Sequence, residues 1–166
     1  QYIAPADAQA TDLVTDSVDV HTSYTVLEHI PRDSLRGILA EGNRITKPDG
    51  VFIHRIDYSD HFSHSDNSIS SINFLRYSDW IWRIYAGNRY MYMNRLRHDE
   101  FLNIFEEAEH TLLDVEADLD LQALELLKSG RLKPATEFAN REHETLAIRG
   151  AWIVSAGPTS ERAFSN

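Results

Sequence analysis

The order of patterns between residues 17 and 57 constrains this chain more than any other feature. Val18, Val20 and Tyr24 sit in a short β-favouring run that ends in polar residues, as a buried strand opening onto a site does. Pro31 suits the first turn of a helix, where a missing N–H leaves nothing unsatisfied. Leu35, Ile38, Leu39, Gly42 and Ile45 then recur at helical spacing and give one apolar face for a sheet to cover. Lys47-Pro48-Asp49-Gly50 stops the helix, with Pro48 and Gly50 placed as a type I turn requires. Val51, Phe52, Ile53 and Ile56 form the next strand, apolar enough to be parallel and covered on both faces. Strand, helix and strand make a βαβ unit, so the fold class is α/β.

Composition narrows the function. The 166 residues suit one domain with a real core. A net charge of −10 argues against a general nucleic-acid binder, whose affinity comes largely from neutralising phosphates. The absence of cysteine rules out disulfides and thiolate chemistry. No apolar run approaches the ~20 residues that span a bilayer, and no signal peptide opens the sequence. No membrane association is expected, and a cytoplasmic location is the default.

Residues 17–52 resemble the middle of a class I S-adenosylmethionine-dependent methyltransferase of the broad type 11 kind. In that family a strand with an acidic residue near its start leads to a Leu-Glu-His segment, here Leu27-Glu28-His29. A helix with Glu-x-x-Arg follows, then Leu-Lys-Pro-Gly-Gly before the next strand. Glu41, Arg44, Lys47, Pro48 and Gly50 match this pattern, whereas Thr46 and Asp49 depart from its commonest residues.

The resemblance implies a Rossmann-like sheet of order 3-2-1-4-5-7-6 that closes with an antiparallel strand, and S-adenosyl-L-methionine as cofactor. Residues 1–8 resemble the end of the third strand and its adenine-binding turn. By that match Asp7 would accept from the adenine amino group, and Ala8 would offer a backbone N–H. Ser23, Tyr24 and Leu27 would lie by the cofactor's sulfur side, with Glu28 and His29 following on that rim. The family's Gly-rich turn and the acidic end of its second strand are expected upstream of Gln1. The sheet is therefore expected to be partial, and this chain by itself inactive. Its bared edge should be covered by a missing N-terminal segment, by rearranged N-terminal residues, or by a partner copy in a homo-oligomer.

The residues after the second strand of this unit, His54 to Asp66, carry Asp57, Asp60, His61 and His64 in a loop of the kind on which α/β folds place ligand chemistry. Three readings stay open: a solvated loop, a general base or substrate contact, and a divalent-metal site. No recognised metal-ligand spacing supports the last, so no metal is assigned. His29 is the first choice of catalytic base or substrate contact and His61 the second, with Glu28 and Asp57 as substrate contacts; the alternative for His29 is a structural residue at the helix entry.

Phe74, Tyr77, Trp80, Trp82, Tyr85, Tyr90 and Tyr92 then interleave with Arg76, Arg83, Arg89, Arg95 and Arg97. Spacing predicts a helix over 72–85, broken at Gly87-Asn88. In the family this region is a substrate-covering lid, which makes Trp82 and Arg95 candidate substrate contacts. The alternative is that the rings pack a core and the arginines lie over it.

Helices over 99–108 and 119–127, strands over 111–116 and 146–155, and a bulge at Arg149-Gly150 complete the pattern. The chain divides into a cofactor-side βαβ portion (1–57), a helical lid (58–97), closing helices and strands (98–157) and a frayed tail (158–166). The expected activity is methyl transfer to an oxygen or nitrogen of a small molecule such as a sugar or other polar metabolite. A non-catalytic relic or assembly subunit, and a metal-dependent hydrolase using residues 54–66, are the alternatives.

Overall fold

The computed structural model describes residues 2–87 and 92–159. Gln1, Arg89, Tyr90 and positions 160–166 of the expected tail lie outside the described residues. Strands β1 (Val18–Tyr24), β2 (Thr46–Asp57), β3 (Thr111–Leu119) and β4 (Ile148–Ala156) form one open sheet in the order β1-β2-β4-β3. β1 and β2 are parallel, and β4 runs antiparallel to both β2 and β3. This is the 4-5-7-6 half of the expected sheet, with its antiparallel closing strand.

Helix α1 (Arg32–Ile45) connects β1 to β2, and α3 (His98–Glu107) leads into β3. Pro31 is the N-cap rather than the first helical residue, and its carbonyl accepts from the Leu35 N–H at 3.1 Å. Both helices bury their apolar stripes on the same side of the sheet. Leu35, Leu39, Phe101, Ile104 and Phe105 meet Ile56, Ala151 and Ile153 there. Strand alternation sends Val20, Tyr24 and Trp152 to the opposite face, where all three are exposed. β2 is thus covered on one face only, against the expectation of two. Among the described residues no strand pairs with the outer edge of β1.

Lys47-Pro48-Asp49-Gly50 does not separate helix from strand. β2 already starts at Thr46, and the pairing jumps from Val18↔Thr46 to Val20↔Val51, so the turn residues bulge out of the strand. Gly50 is needed there, because a Cβ would stand 2.5 Å from the Thr46 methyl and 2.9 Å from the Asp19 carbonyl oxygen.

The Glu-x-x-Arg pair has a structural use. Arg44 donates from Nε and Nη2 to the Glu41 carboxylate, and from Nη2 to the Leu13 carbonyl at 2.8 Å. Glu41 in turn accepts from the Thr11 N–H at 2.8 Å and the Thr11 hydroxyl at 2.5 Å. Together they clamp residues 11–13 to α1. Among the described residues no strand forms N-terminal to this clamp, contrary to the expected strand end at residues 1–8. Arg44→Ala should release the segment with little effect on global stability, because the ion pair is partly exposed. Limited proteolysis checks this: cleavage within residues 2–15 should accelerate while the unfolding midpoint barely moves.

A second core lies beyond the sheet. Ile72, Phe74, Leu75, Trp82, Ala86 and Met93 pack against Ala123, Leu127, Leu132, Phe138, Leu146 and Ala147. The expected helix over 72–85 is in fact two pieces, a 3-10 turn (Asn73–Arg76) and α2 (Asp79–Ala86), with Tyr77 and Ser78 extended between them. Splitting there turns Phe74, Leu75 and Trp82 into one core, which a continuous helix would spread along its length. α4 (Leu121–Lys128) is capped by the Asp120 carboxylate, which accepts from the N–H groups of Gln122 and Ala123, and it stops before Gly130 at φ +70°. Leu146 and Ala147 end the short α5 (His143–Ala147) instead of starting the last strand. The expected bulge is present: between Asp118↔Gly150 and Leu119↔Ile148 the extra residue is Arg149.

Candidate active site

Two short 3-10 turns follow the adjacent parallel strands and meet at their C-terminal ends. Leu27–His29 comes after β1, and His61–His64 comes after β2. A ligand site belongs at such a rim in an α/β sheet. Between β1 and the first turn stands Thr25 at φ 50°, a left-handed conformation that strains a β-branched residue. The turn is then clamped from outside by Asn94, whose side-chain amide donates to the Leu27 and Ile30 carbonyls at 2.9 and 2.8 Å. The Asn94 N–H donates to the Glu28 carbonyl at 2.8 Å.

The imidazoles of His29 and His61 stack face to face, with centroids 4.8 Å apart. His29 Nδ1 lies 2.9 Å from the Tyr92 carbonyl oxygen. A carbonyl can only accept, so Nδ1 carries a hydrogen, and in the neutral ring the lone pair is on Nε2. Asp57 Oδ2 stands 3.7 Å from His61 Nε2 and 3.5 Å from His64 Nε2, and His64 Nε2 also lies 2.9 Å from the Ser59 hydroxyl. Burial lowers the His61 pKa against the pull of Asp57.

Glu28 is the unusual group. It is 2 % exposed, and among the described residues neither carboxylate oxygen has a hydrogen-bond partner. Desolvation pushes its pKa up to about 7; the backbone amides of Glu28 and Asp57, close but not in hydrogen-bonding geometry, and His29 pull the other way. Asp60, also in this loop, is buried and caps the second turn by accepting from the Phe62 N–H at 3.0 Å, so it is not open to a ligand.

The four rim residues named from sequence, Glu28, His29, Asp57 and His61, are therefore brought together. The others are not. Ser23 bonds His54 Nδ1 at 2.7 Å beneath the helices, whereas its neighbour Tyr24 points to the bare face beside Trp152. Alternation along the strand forces that divergence. Leu27 is 4 % exposed and belongs to the core. Asp7 lines an open groove of about 380 Å³ with Ile3, Pro5 and Thr11, and its carboxylate accepts from the Gln9 N–H. Ala8 is exposed beside it.

Trp82 and Arg95 are both buried and border a cavity of about 240 Å³ with Asp79, Met93 and Asn94. Trp82 packs among Phe62, Phe74 and Tyr77, and the buried Arg95 guanidinium lies over its ring at 5.4 Å. Arg95 donates to the Phe74 and Tyr77 carbonyls and to the Asp79 carboxylate. Sequence reasoning missed Asn94 and the Tyr92 carbonyl, which position the rim from far along the chain. No local pattern marks either.

Residues 2–54 match the family model described as a methyltransferase domain. Its fold is that of a class I methyltransferase. One similar structure is a methyltransferase chain from the complex with the Haloferax volcanii Trm112 methyltransferase activator: 22% identity, TM-score 0.52, 92% of this chain and 60% of that one covered. Another is geranyl diphosphate C-methyltransferase from Streptomyces coelicolor A3(2), solved with Mg2+, geranyl diphosphate and S-adenosyl-L-homocysteine: 14% identity, TM-score 0.52, 92% and 52% covered. A third, from Bacillus halodurans, has 15% identity and a TM-score of 0.51, with 92% and 69% covered. The chain thus spans 60% and 52% of the first two of these methyltransferases. No curated protein matches the sequence. No helix among the described residues is long and apolar enough to cross a membrane.

Proposed function

We propose that the protein containing this chain transfers a methyl group from S-adenosyl-L-methionine to a small polar acceptor held at the Glu28–His29–Asp57–His61 rim. The observation that carries this reading is the convergence of those four side chains where β1 and β2 end, within a methyltransferase sheet order. Methyl transfer is in-line displacement at a carbon, so the protein's main task is to align donor and acceptor. An acceptor hydroxyl or amine must also lose a proton, and His29, with its free Nε2, faces the place where that happens. The bare β1 edge and open sheet face are where further chain, a second copy or a protein partner would pack.

The test combines calorimetric titration of the full-length protein with S-adenosyl-L-methionine and transfer of a labelled methyl group to a panel of polar metabolites. His29→Ala is expected to lower turnover by ~10²-fold or more while leaving cofactor affinity unchanged. His61→Ala should act mainly on the acceptor KM. If the full-length protein binds no cofactor, the non-catalytic reading replaces this one.

A further inference from the structure

We propose that Glu28, His29 and His61 form a binding site for a divalent transition-metal ion of the zinc type. One ligand atom from each residue lies within 4.8 Å of those of the other two. A tetrahedral zinc with bonds of about 2.0–2.1 Å holds its ligand atoms about 3.4 Å apart, so the three must close by about 1.4 Å at most. His29 is exposed and His61 half-buried, each on a short turn, and the two rings must also turn out of their face-to-face stack for both lone pairs to point at one ion.

Clustering alone would not make this a site. The independent observation is the Glu28 carboxylate, buried to 2 % exposure, with neither oxygen partnered among the described residues and one of them in the cluster. A buried carboxylate without hydrogen bonds is unfavourable unless a cation or a proton meets it. The tautomer of His29 points the same way. Its Nδ1–H is held by the Tyr92 carbonyl, which leaves Nε2 as a lone-pair donor, the second-sphere arrangement that orients metal-bound imidazoles. Asp57, 3.7 Å from His61 Nε2, gives the other imidazole a carboxylate neighbour. Two imidazoles with one carboxylate favour zinc, cobalt or iron over the oxygen-seeking magnesium and calcium ions.

The site stands on this geometry and does not depend on methyl transfer; an ion on His29 Nε2 would occupy the lone pair of the base proposed above, so the two roles exclude each other at any one time, and the site is tested by binding without S-adenosylmethionine. Tag-free full-length protein is stripped with chelator, titrated with Zn2+ by calorimetry, and titrated with Co2+ by visible absorption. One ion per chain is expected at micromolar affinity or tighter, with a Co2+ spectrum of low coordination number. Glu28→Gln, which keeps the shape of the buried side chain, and His61→Ala should each weaken binding by ~10-fold or more. His143→Ala, remote from the cluster, should not. Zn2+ should also raise the melting temperature of the parent protein and not that of Glu28→Gln. Affinity weaker than ~100 μM, or affinity unchanged in both rim variants, overturns the proposal.

Discussion

Arg97→Ala is expected to unfold a large fraction of the protein, with a loss of about 3–5 kcal/mol. The guanidinium is fully buried. It donates to the Tyr58 carbonyl at 2.6 Å, the Leu146 carbonyl at 2.8 Å and the Ile148 carbonyl at 2.6 Å. It also lies over the Phe74 and Tyr58 rings at 5.4 and 5.8 Å. Tyr58 and Ile148 belong to the sheet core, Phe74 and Leu146 to the second core. This one side chain therefore joins the two. Burial pulls its pKa down to about 10, so it is still charged at neutral pH and held by carbonyl dipoles. Alanine would leave a large cavity and remove the donor from three buried carbonyls, each worth about 1–3 kcal/mol if it stays unsatisfied. Against a typical total of about 5–15 kcal/mol this is a severe loss. Arg97→Lys should be intermediate, since an ammonium cannot reproduce the fork of donors. Urea denaturation checks both: the midpoint should fall steeply for alanine, and a loss below about 1 kcal/mol would show that the two cores hold without this residue.

Acid should weaken the fold well before the ordinary carboxylates titrate. His54 is fully buried in β2, with Nδ1 2.7 Å from the Ser23 hydroxyl and Nε2 3.4 Å from His21 Nδ1. His110 Nε2 donates to Asn43 Oδ1 at 2.8 Å, and its Nδ1 accepts from the Ser155 hydroxyl at 2.9 Å. None of these partners is a carboxylate. Desolvation, with neighbouring histidines adding to it, drops the pKa of His54 to about 3 and that of His110 to about 4. Both folded values lie below the unfolded value of about 6.5, so the unfolded chain binds more protons in between. The contribution is complete above about pH 6.5 and is lost as pH falls toward the folded values. At pH 5 each histidine should already have forfeited about 2 kcal/mol. Glu28 acts with the opposite sign, because a carboxyl raised to about 7 gains protons in the folded state first. In the parent protein the histidine loss from pH 7.5 to 5, to which His21, His61 and His98 add because burial lowers them too, is therefore partly offset by Glu28, and it should be about 2 kcal/mol larger in a Glu28→Gln background. Denaturant titrations at the two pH values, in chelator, measure this. A further His54→Gln change should remove about 2 kcal/mol of the dependence; an unaltered dependence would mean that other groups set it.

Where local chemistry decides, the sequence was a sufficient guide. The β1-α1-β2 unit follows from alternation, helical spacing and Pro31. Gly87, Gly130 and the Arg149-Gly150 bulge mark ends and irregularities that backbone geometry alone requires. The rim quartet was legible for the same reason, since residues just past parallel strands must emerge on one edge of the sheet.

What required the tertiary structure is which side of an element meets what. Ser23 and Tyr24 are adjacent in sequence but face opposite sides of the sheet, so the expected cofactor group cannot form from both side chains. Arginines that look available for substrate, Arg95 above all, are donors to buried carbonyls, because the 72–86 stretch breaks at Tyr77 and folds around them. Glu28 reads in sequence as an ordinary rim carboxylate, yet packing strips it of water and, among the described residues, of every hydrogen bond. Sequence by itself determined the order and type of the elements in the β1-α1-β2 unit and the closing α3, β3, α4 and β4, since those depend on a few neighbouring dihedrals and the period of apolar residues. Solvent exposure and partnership were decided only by the tertiary fold, because desolvation and hydrogen bonding depend on atoms tens of residues away.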